Sequence, residues 1–114
     1  MKKYKPIVYQ KLIRDGIPDR IKSGGKKAHT RKIHGEELQE AIGHKILEEA
    51  FELYEEWQKG SSEDVLKESA DLLEIVLKAL STKGYTLNDL LQKQEKRNLE
   101  RGGFKKQYFL DQVG

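Results

Sequence analysis

The chain has 114 residues, of which 36% are hydrophobic and 36% are charged, with a formal net charge of +3 and no cysteine. This length allows one domain over residues 1–114 with one core, and the lack of cysteine excludes disulfides, thiolate metal sites and a cysteine nucleophile. A composition this polar is typical of a thin helical domain that buries further surface by self-association, so we expect a homo-oligomer, either a dimer or a tetramer.

The N-terminal part of the chain, residues 1–14, is predicted to be extended. Its apolar run, residues 7–9, is too short for a secretory signal or a membrane span, which favours a cytoplasmic protein without a membrane partner. Asp15 and Pro18 then indicate a turn into a short helix, because proline favours the first helical turn and aspartate can cap it. The following segment, Gly24–Arg31, has no apolar periodicity and is predicted to be a basic loop. Its lysines are interpreted as solvated charge, and closure of the loop over a ligand is the alternative.

Three longer helices are predicted after this loop. Apolar residues recur at three- and four-residue steps over 36–59 and again over 64–82, which predicts two amphipathic helices joined by a turn at Gly60. A last helix over 87–101 is predicted to begin after Thr86, because an aspartate stands in the capping-box position three residues further on.

The predicted fold class is all-α, because no strand-like alternation of useful length is present. Short connections favour an antiparallel helical bundle with short extended N- and C-terminal segments. Tyr54, Trp57 and Leu66 are expected in its core. The extended C-terminal segment, Phe104–Leu110, carries aromatic residues that are expected to pack on a neighbouring chain.

Two acidic clusters lie at matching heights on the two central helices. Glu48, Glu49 and Glu52 form the first cluster, and Glu68 and Asp71 form the second. Carboxylates three residues apart share one face of a helix, and both clusters are about 9 to 12 Å of helix away from the connecting turn. Converging carboxylates repel one another unless a cation lies between them. All-oxygen sites suit Mg²⁺, with Mn²⁺ as an alternative, and Mg²⁺ also binds substrate phosphates.

The charges of the chain are segregated along the sequence. Residues 36–74 contain thirteen acids and three bases, a net charge of −10, so the rest of the chain carries +13. A metal and triphosphate site needs this combination, since carboxylates hold the cation while Lys and Arg neutralise phosphate oxygens. The alternative interpretation is that these charges belong to ordinary solvated helix faces.

Three motifs resemble those of a known superfamily. Residues 48–52 and 68–71 match the EExxE and ExxD signature of the MazG-like, all-α nucleotide pyrophosphohydrolases. Lys11–Pro18, KLIRDGIP, is similar to the KLVRDxIP opening of a small single-domain branch related to phosphoribosyl-ATP pyrophosphohydrolase. Arg97–Phe104 is similar to the basic RGGF ending of that branch. The resemblance spans residues 11–104, nearly the whole chain.

This resemblance implies Mg²⁺-dependent hydrolysis of a small-molecule nucleoside triphosphate, standard or non-standard, to the monophosphate and pyrophosphate. It implies four metal ligands: Glu49, Glu52, Glu68 and Asp71. Glu48 is left with an auxiliary role, either supporting the ligands or orienting the attacking water. The basic residues of the flanking motifs are expected to bind substrate phosphates: Lys11, Arg14, Arg97 and Arg101. For the two arginines of the last helix the alternative is solvated charge, and for Arg14 it is an ion pair with Asp15.

Two other functions stay open on the sequence, as does a catalytically silent member of the family, although the intact acidic signature argues against loss of activity. One is phosphoribosyl-ATP pyrophosphohydrolase of histidine biosynthesis, which performs the same chemistry on a different substrate. The other is a non-enzymatic helical nucleic-acid-binding protein that uses the basic ends of the chain. The acidic middle of the chain would repel a polynucleotide, so no stable nucleic-acid partner is expected. The absence of a Glu-x-x-His pair argues against a di-iron site, and the absence of a P-loop motif excludes a P-loop site.

Overall fold

The structure is a computed structural model that describes residues 9–114. These residues contain α-helices and no strands, which confirms the predicted all-α class: α1 (Ile17–Ser23), α2 (Gly35–Lys59), α3 (Ser62–Thr82) and α4 (Leu87–Arg101). Residues 9–14 have neither helix nor strand, whereas residues 1–8, the rest of the predicted extended segment, lie outside the described residues. No helix in the described part is both long enough and apolar enough to span a bilayer.

Side-chain capping marks the starts of α3 and α4, and the starts of α1 and α3 differ from the prediction. Gly16, and not Asp15, occupies the N-cap of α1, because a turn in which the Ile17 N–H donates to the carbonyl of Arg14 at 3.1 Å moves the helix start past the aspartate. Helix α3 begins at residue 62, two residues earlier than predicted, just after Ser61, whose hydroxyl accepts from a backbone N–H of the first turn at 3.3 Å. The capping box predicted at Thr86 is confirmed.

The connection between α2 and α3 makes the second of these helices return along the first. Gly60 ends α2 in the left-handed region, with φ of +93°, and its N–H donates to the carbonyl of Glu56 at 2.8 Å. The returning helix lines a shared groove with α2, and this groove is formed by Ala50, Leu53, Tyr54, Trp57, Val65 and Ser69. The antiparallel arrangement of all the helices in one bundle stays a prediction.

The chain divides into two compact units, the first ending at Ala79 and the second running over Leu80–Gly114. Among the described residues of the first unit, the buried hydrophobic side chains are Ile42 of α2 and Ile75 of α3. The core of this unit is therefore small. The prediction of a single domain over residues 1–114 stays a prediction.

The three side chains expected in the core lie largely outside it. Tyr54 is 56% exposed, and Trp57 and Leu66 are each 71% exposed. On α2 the reason is that an acidic residue, Glu49, takes the buried side of the helix, so that much of the aromatic surface is left on the outside. The prediction of core positions for these side chains was wrong.

The C-terminal segment also differs from the prediction in part. A turn closes over residues 104–107, since the N–H of Gln107 donates to the carbonyl of Phe104 at 3.1 Å, and Gln107 has a φ of +57°. The residues after this turn have neither helix nor strand, and Tyr108 and Phe109 are each 87% exposed. Packing of these aromatic side chains on a neighbouring chain stays a prediction.

Gly60, just after α2, and Gly43, inside it, allow a test of the connection that positions the two helices. We expect Gly60→Ala to lower the free energy of unfolding by about 1–2 kcal/mol, the cost of the left-handed region for a residue with a Cβ. Gly43→Ala is the matched control, because Gly43 lies inside α2 and an added Cβ meets nothing within 4 Å. This control should raise the free energy of unfolding by about 0.5–1 kcal/mol. Urea unfolding followed by circular dichroism measures both, and equal stability of the two variants would contradict the role of Gly60.

Candidate metal centre

Five carboxylates from α2 and α3 meet in the first unit. Each cluster lies on one helix face, and the turn at Gly60 brings the two faces together. Oxygen atoms of Glu48, Glu49 and Glu52 lie within 4.8 Å of one another, and so do oxygen atoms of Glu49, Glu68 and Asp71. Glu49 belongs to both groups and joins them into one acidic cluster. The structure therefore brings together all five acids singled out in the sequence, while their individual roles stay predictions.

Burial makes this acidic cluster different from a solvated acidic face. Glu49 is buried, and Oε2 of Glu49 and Oε2 of Glu68 are inaccessible to solvent without a hydrogen-bond partner among the described residues. A buried carboxylate oxygen without a partner is costly, more so when it is charged. A hard divalent cation bound by oxygen ligands would supply the missing partner. The donor set and the two unsatisfied oxygens thus fit a metal ion such as Mg²⁺ or Mn²⁺.

The electrostatic strain of the acidic cluster is concentrated on Glu52. Burial of its carboxyl group raises the pKa of Glu52 to about 7, with further contributions from the negative charge of Glu49 and a hydrogen bond with it. The charges of Glu68 and Glu48 raise the pKa of Glu52 further. Near neutral pH and without a cation, the acidic cluster therefore holds a proton on Glu52 for part of the time.

Two lysines offset the charge on the α2 side of the acidic cluster. Lys11 Nζ lies 2.9 Å from Glu48 Oε1, and Lys45 Nζ lies 3.3 Å from an oxygen of each of Glu48 and Glu49. The hydrogen bond from Lys11 lowers the pKa of Glu48, and the same contact raises the pKa of Lys11. Sequence reasoning missed Lys45. Its signal was the spacing of three and four residues to the two glutamates on the same helix.

An arginine offsets the charge on the α3 side. Arg14 Nη2 lies 2.6 Å from Asp71 Oδ1, across 57 residues of chain, so its ion-pair partner is Asp71 and not the neighbouring Asp15. Lys11 and Arg14 therefore both contact the acidic cluster. The other two predicted phosphate-binding residues, Arg97 and Arg101, are exposed on α4 in the second unit, and their part in the site stays a prediction.

The C-terminal end of the basic loop over 24–31 contacts the first turn of α2. Arg31 forms two hydrogen bonds with the carboxylate of Glu37, at 2.7 and 2.6 Å, and both side chains are exposed. Lys22, Lys26 and Lys27 line an open pocket beside α1. Closure of this loop over a ligand stays a prediction.

Comparison with known proteins adds a family to this geometry. Residues 15–98 match the family described as Phosphoribosyl-ATP pyrophosphohydrolase. The chain is also similar to the Histidine biosynthesis bifunctional protein HisIE of Bacteroides thetaiotaomicron, at 28% identity over 97 residues. These residues cover 85% of this chain and 47% of that protein, so the chain spans about half the length of the curated relative it matches. No solved structure matches the chain. The family match includes all five acids but leaves out Lys11 and Arg14.

The raised pKa of Glu52 gives a testable dependence of stability on pH. The carboxyl group of Glu52 has a pKa of about 7 in the folded state and near 4.5 in the unfolded state. It therefore favours folding most at low pH, where it is protonated in both states. Its contribution to the free energy of unfolding is therefore lost progressively as pH rises from 4.5 to 7. In metal-free protein with EDTA, Glu52→Gln should remove this component.

The measurement is urea unfolding of the wild type and Glu52→Gln between pH 4.5 and 8. The stability of the variant relative to the wild type should rise across this range and level off above pH 7. Glu74→Gln is the matched control, since Glu74 is exposed on α3 outside the acidic cluster. A difference between wild type and Glu52→Gln that does not change with pH would contradict the raised pKa.

Proposed function

This chain belongs to the phosphoribosyl-ATP pyrophosphohydrolase family, and we propose that it releases pyrophosphate from phosphoribosyl-ATP at a divalent-metal centre formed by α2 and α3. The chain is a pyrophosphohydrolase, a hydrolase of phosphoric anhydrides. The observation that carries the metal centre is the acidic cluster itself, in which Glu49 joins two carboxylate groups and two buried oxygens have no hydrogen-bond partner within residues 9–114. The likeness to a histidine-biosynthesis protein supports the choice of substrate.

The proposed metal ligands are the four acids that the superfamily signature implies: Glu49, Glu52, Glu68 and Asp71. We favour Mg²⁺, with Mn²⁺ as an alternative, because all donors are carboxylate oxygens. A cation bound there would polarise the phosphoryl oxygens and offset the charge that develops on the leaving pyrophosphate. It would also favour ionised Glu52, since a nearby positive charge lowers a carboxyl pKa.

Glu48 is proposed to orient the attacking water. Its contacts with Lys11 and Lys45 lower its pKa, so it is a carboxylate at neutral pH and accepts a hydrogen bond from water. The water oxygen forms a bond to the α-phosphorus while the bond from that phosphorus to the bridging oxygen breaks. Pyrophosphate leaves with the electron pair of that bond, and the proton of the water passes to Glu48 or to solvent. The protein supplies mainly positioning and charge compensation, as phosphoryl transfer requires.

Basic residues are proposed to bind the phosphates of the substrate. Lys11 and Arg14 already lie at the acidic cluster, where a metal-bound triphosphate would extend toward them. Arg97 and Arg101 are proposed to contribute from α4, four residues apart on one helix. Arginine suits this task, because its guanidinium group can hold two phosphate oxygens at once.

A nucleoside triphosphate, standard or non-standard, is the second candidate substrate. One observation favours it: the KLIRDGIP motif begins before the family match, and two of its residues outside that match, Lys11 and Arg14, contact the acidic cluster. This motif is similar to the opening of a small single-domain branch of the MazG-like superfamily. Both candidates carry a 5′-triphosphate, so the chemistry at the metal centre would be the same.

We also propose that the active form is a cytoplasmic homo-oligomer. Leu47, Phe51 and Tyr54 recur at steps of four and three residues and are each more than half exposed. They therefore share an outward side of α2, opposite the buried Glu49. Exposed apolar patches rimmed by polar residues often mark protein interfaces. A second copy of the chain would cover this side, since α2 offers a long apolar surface and the core of the first unit is small.

Hydrolysis tests the metal centre and the substrate together. Glu52→Gln should reduce the rate of pyrophosphate release by about a hundredfold or more. Replacing a residue that only supports a metal ligand already lowers metal affinity or activity by about 10- to 100-fold, and Glu52 is a proposed ligand itself. Glu74→Gln should retain the wild-type rate. Pyrophosphate release would be measured with phosphoribosyl-ATP, the standard nucleoside triphosphates and a set of damaged ones at equal Mg²⁺. Wild-type turnover by Glu52→Gln would reject the centre, and turnover of nucleoside triphosphates alone would reject phosphoribosyl-ATP.

The oligomer has its own test. Phe51→Glu places a charge in the middle of the outward side of α2, so sedimentation velocity should show a shift of the wild-type oligomer toward monomer. The helices should stay intact by circular dichroism, because Phe51 is 60% exposed in the single chain. Thr30→Glu adds the same charge in the exposed loop and should leave the oligomer unchanged. A wild-type chain that sediments as a monomer would contradict the proposal.

A further inference from the structure

We propose that Arg14 is a displaceable counterion, which a metal ion releases from Asp71 and which then binds the phosphates of the substrate. This inference rests on the proposed function, since it needs a cation at the acidic cluster. Arg14 would thus have two successive partners, first Asp71 and then the phosphates, whereas a residue that only binds phosphate would have the phosphates alone. Arg14 is thus a positioning residue before the substrate binds and a binding residue afterwards.

Residues 9–16, called the N-terminal segment below, contact both helices that carry the acids. This segment has neither helix nor strand, and two of its side chains, three residues apart, form ion pairs with α2 and α3. Lys11 contacts Glu48 of α2 at 2.9 Å, and Arg14 contacts Asp71 of α3 at 2.6 Å. In the absence of a metal ion, these cations partly neutralise the acidic cluster from its solvent side.

Metal binding and the Arg14 contact oppose each other. Asp71 belongs to the carboxylate group with Glu49 and Glu68, so a cation bound by that group would lie close to the guanidinium group of Arg14. Like charges at such a distance repel strongly in a partly buried site. The carboxylate of Asp71 would also share its negative charge between the two cations. Each of these effects weakens the ion pair when a metal ion binds.

The exposure of the cations decides which of them moves. The side chain of Arg14 is 53% exposed and has one ion-pair contact among the described residues, so it is held by an interaction of the size of a surface ion pair. Lys45 is 16% exposed and lies 3.3 Å from both Glu48 and Glu49, so it is held on two sides. Of these two cations, Arg14 is therefore the one that leaves, and Lys45 is the one that stays. Lys11 is paired with Glu48, which is not among the proposed metal ligands.

The substrate provides a new partner for the released guanidinium group. A triphosphate bound to the metal ion brings phosphate oxygens to the solvent side of the acidic cluster, where the N-terminal segment lies. Guanidinium groups bind such oxygens in pairs with charge-assisted hydrogen bonds. Metal binding would thus free the residue that the phosphates need, which couples the two binding steps positively.

The first experiment titrates Mn²⁺ alone into the protein by isothermal calorimetry. Arg14→Gln should bind Mn²⁺ about two- to fivefold more tightly than the wild type, because an exposed ion pair that competes with the metal has been removed. Arg14→Lys keeps the charge and should bind Mn²⁺ nearly as the wild type does. Arg31→Gln is the matched control, since it removes an arginine that is paired with Glu37 at 2.6 Å outside the acidic cluster, and it should leave the affinity unchanged.

A second titration adds pyrophosphate at saturating Mn²⁺. Here Arg14→Gln should bind more weakly than the wild type, the opposite sign from the metal titration. A residue with only a structural role would weaken both steps when it is replaced. A residue that only binds phosphate would leave the metal titration unchanged. Either of these results would overturn the proposal.

A third measurement follows Arg14 directly and separates displacement from a general effect of charge. The protein is labelled with ¹⁵N-arginine, and Mg²⁺ takes the place of Mn²⁺ because it is diamagnetic. The side-chain Nε–H resonance of Arg14 is assigned by its loss in Arg14→Lys. It should have a different chemical shift in Mg²⁺-saturated protein than in metal-free protein. The resonance of Arg31 should not shift. An unchanged Arg14 resonance with bound metal would overturn displacement while leaving the metal centre intact. A wild type that binds neither ion would overturn the proposed function and this inference together.

Discussion

The gathering of five carboxylates at one place is the constraint on which the first unit depends. Glu49 is buried at the junction of two carboxylate groups, and oxygens of Glu49 and Glu68 have no partner among the described residues. Such an arrangement lowers stability unless positive charge compensates for it. The same burial and crowding of negative charge raise the pKa of Glu52. A catalytic metal site is one reason for a small domain to keep a feature that opposes its own folding.

The acidic cluster also explains where the apolar surface lies. In an ordinary surface helix the apolar side faces the core and the charged side faces water. Helix α2 departs from this rule over its middle turns, because Glu49 is buried while Phe51 and Tyr54 are exposed. Glu49 takes an inward position that an apolar side chain would otherwise fill. The outward apolar side then needs another partner, which connects the proposed chemistry to the proposed self-association.

Much of the fold and of the acidic cluster could be predicted from the sequence, because both depend on local rules. Helical periodicity, the Gly60 turn and the capping box at Thr86 are properties of short segments, and the spacing of the acids places both clusters at one height. The predictions of core positions were wrong, because burial depends on contacts between residues that are far apart in the sequence. Periodicity identifies an apolar side of α2 without telling whether it faces the chain's own core, so Trp57 was misplaced. Asp15 was predicted to cap α1, but the N-cap residue is Gly16, one position later.

The identity of the substrate depends on groups other than the carboxylates. In the proposed function the acidic cluster would act on a triphosphate and its metal ion, which phosphoribosyl-ATP and nucleoside triphosphates share, so it would not distinguish between them. A choice of substrate needs residues that reach beyond the triphosphate, and the irregular segments 9–16 and 24–31 are places to look for them. Loops tolerate sequence change better than the helices they join, and they carry much of the specificity of enzymes. The family match begins at Asp15 and so includes the five acids but only the last two residues of the segment 9–16, which is why it bears more on the chemistry of the carboxylates than on what this segment contributes.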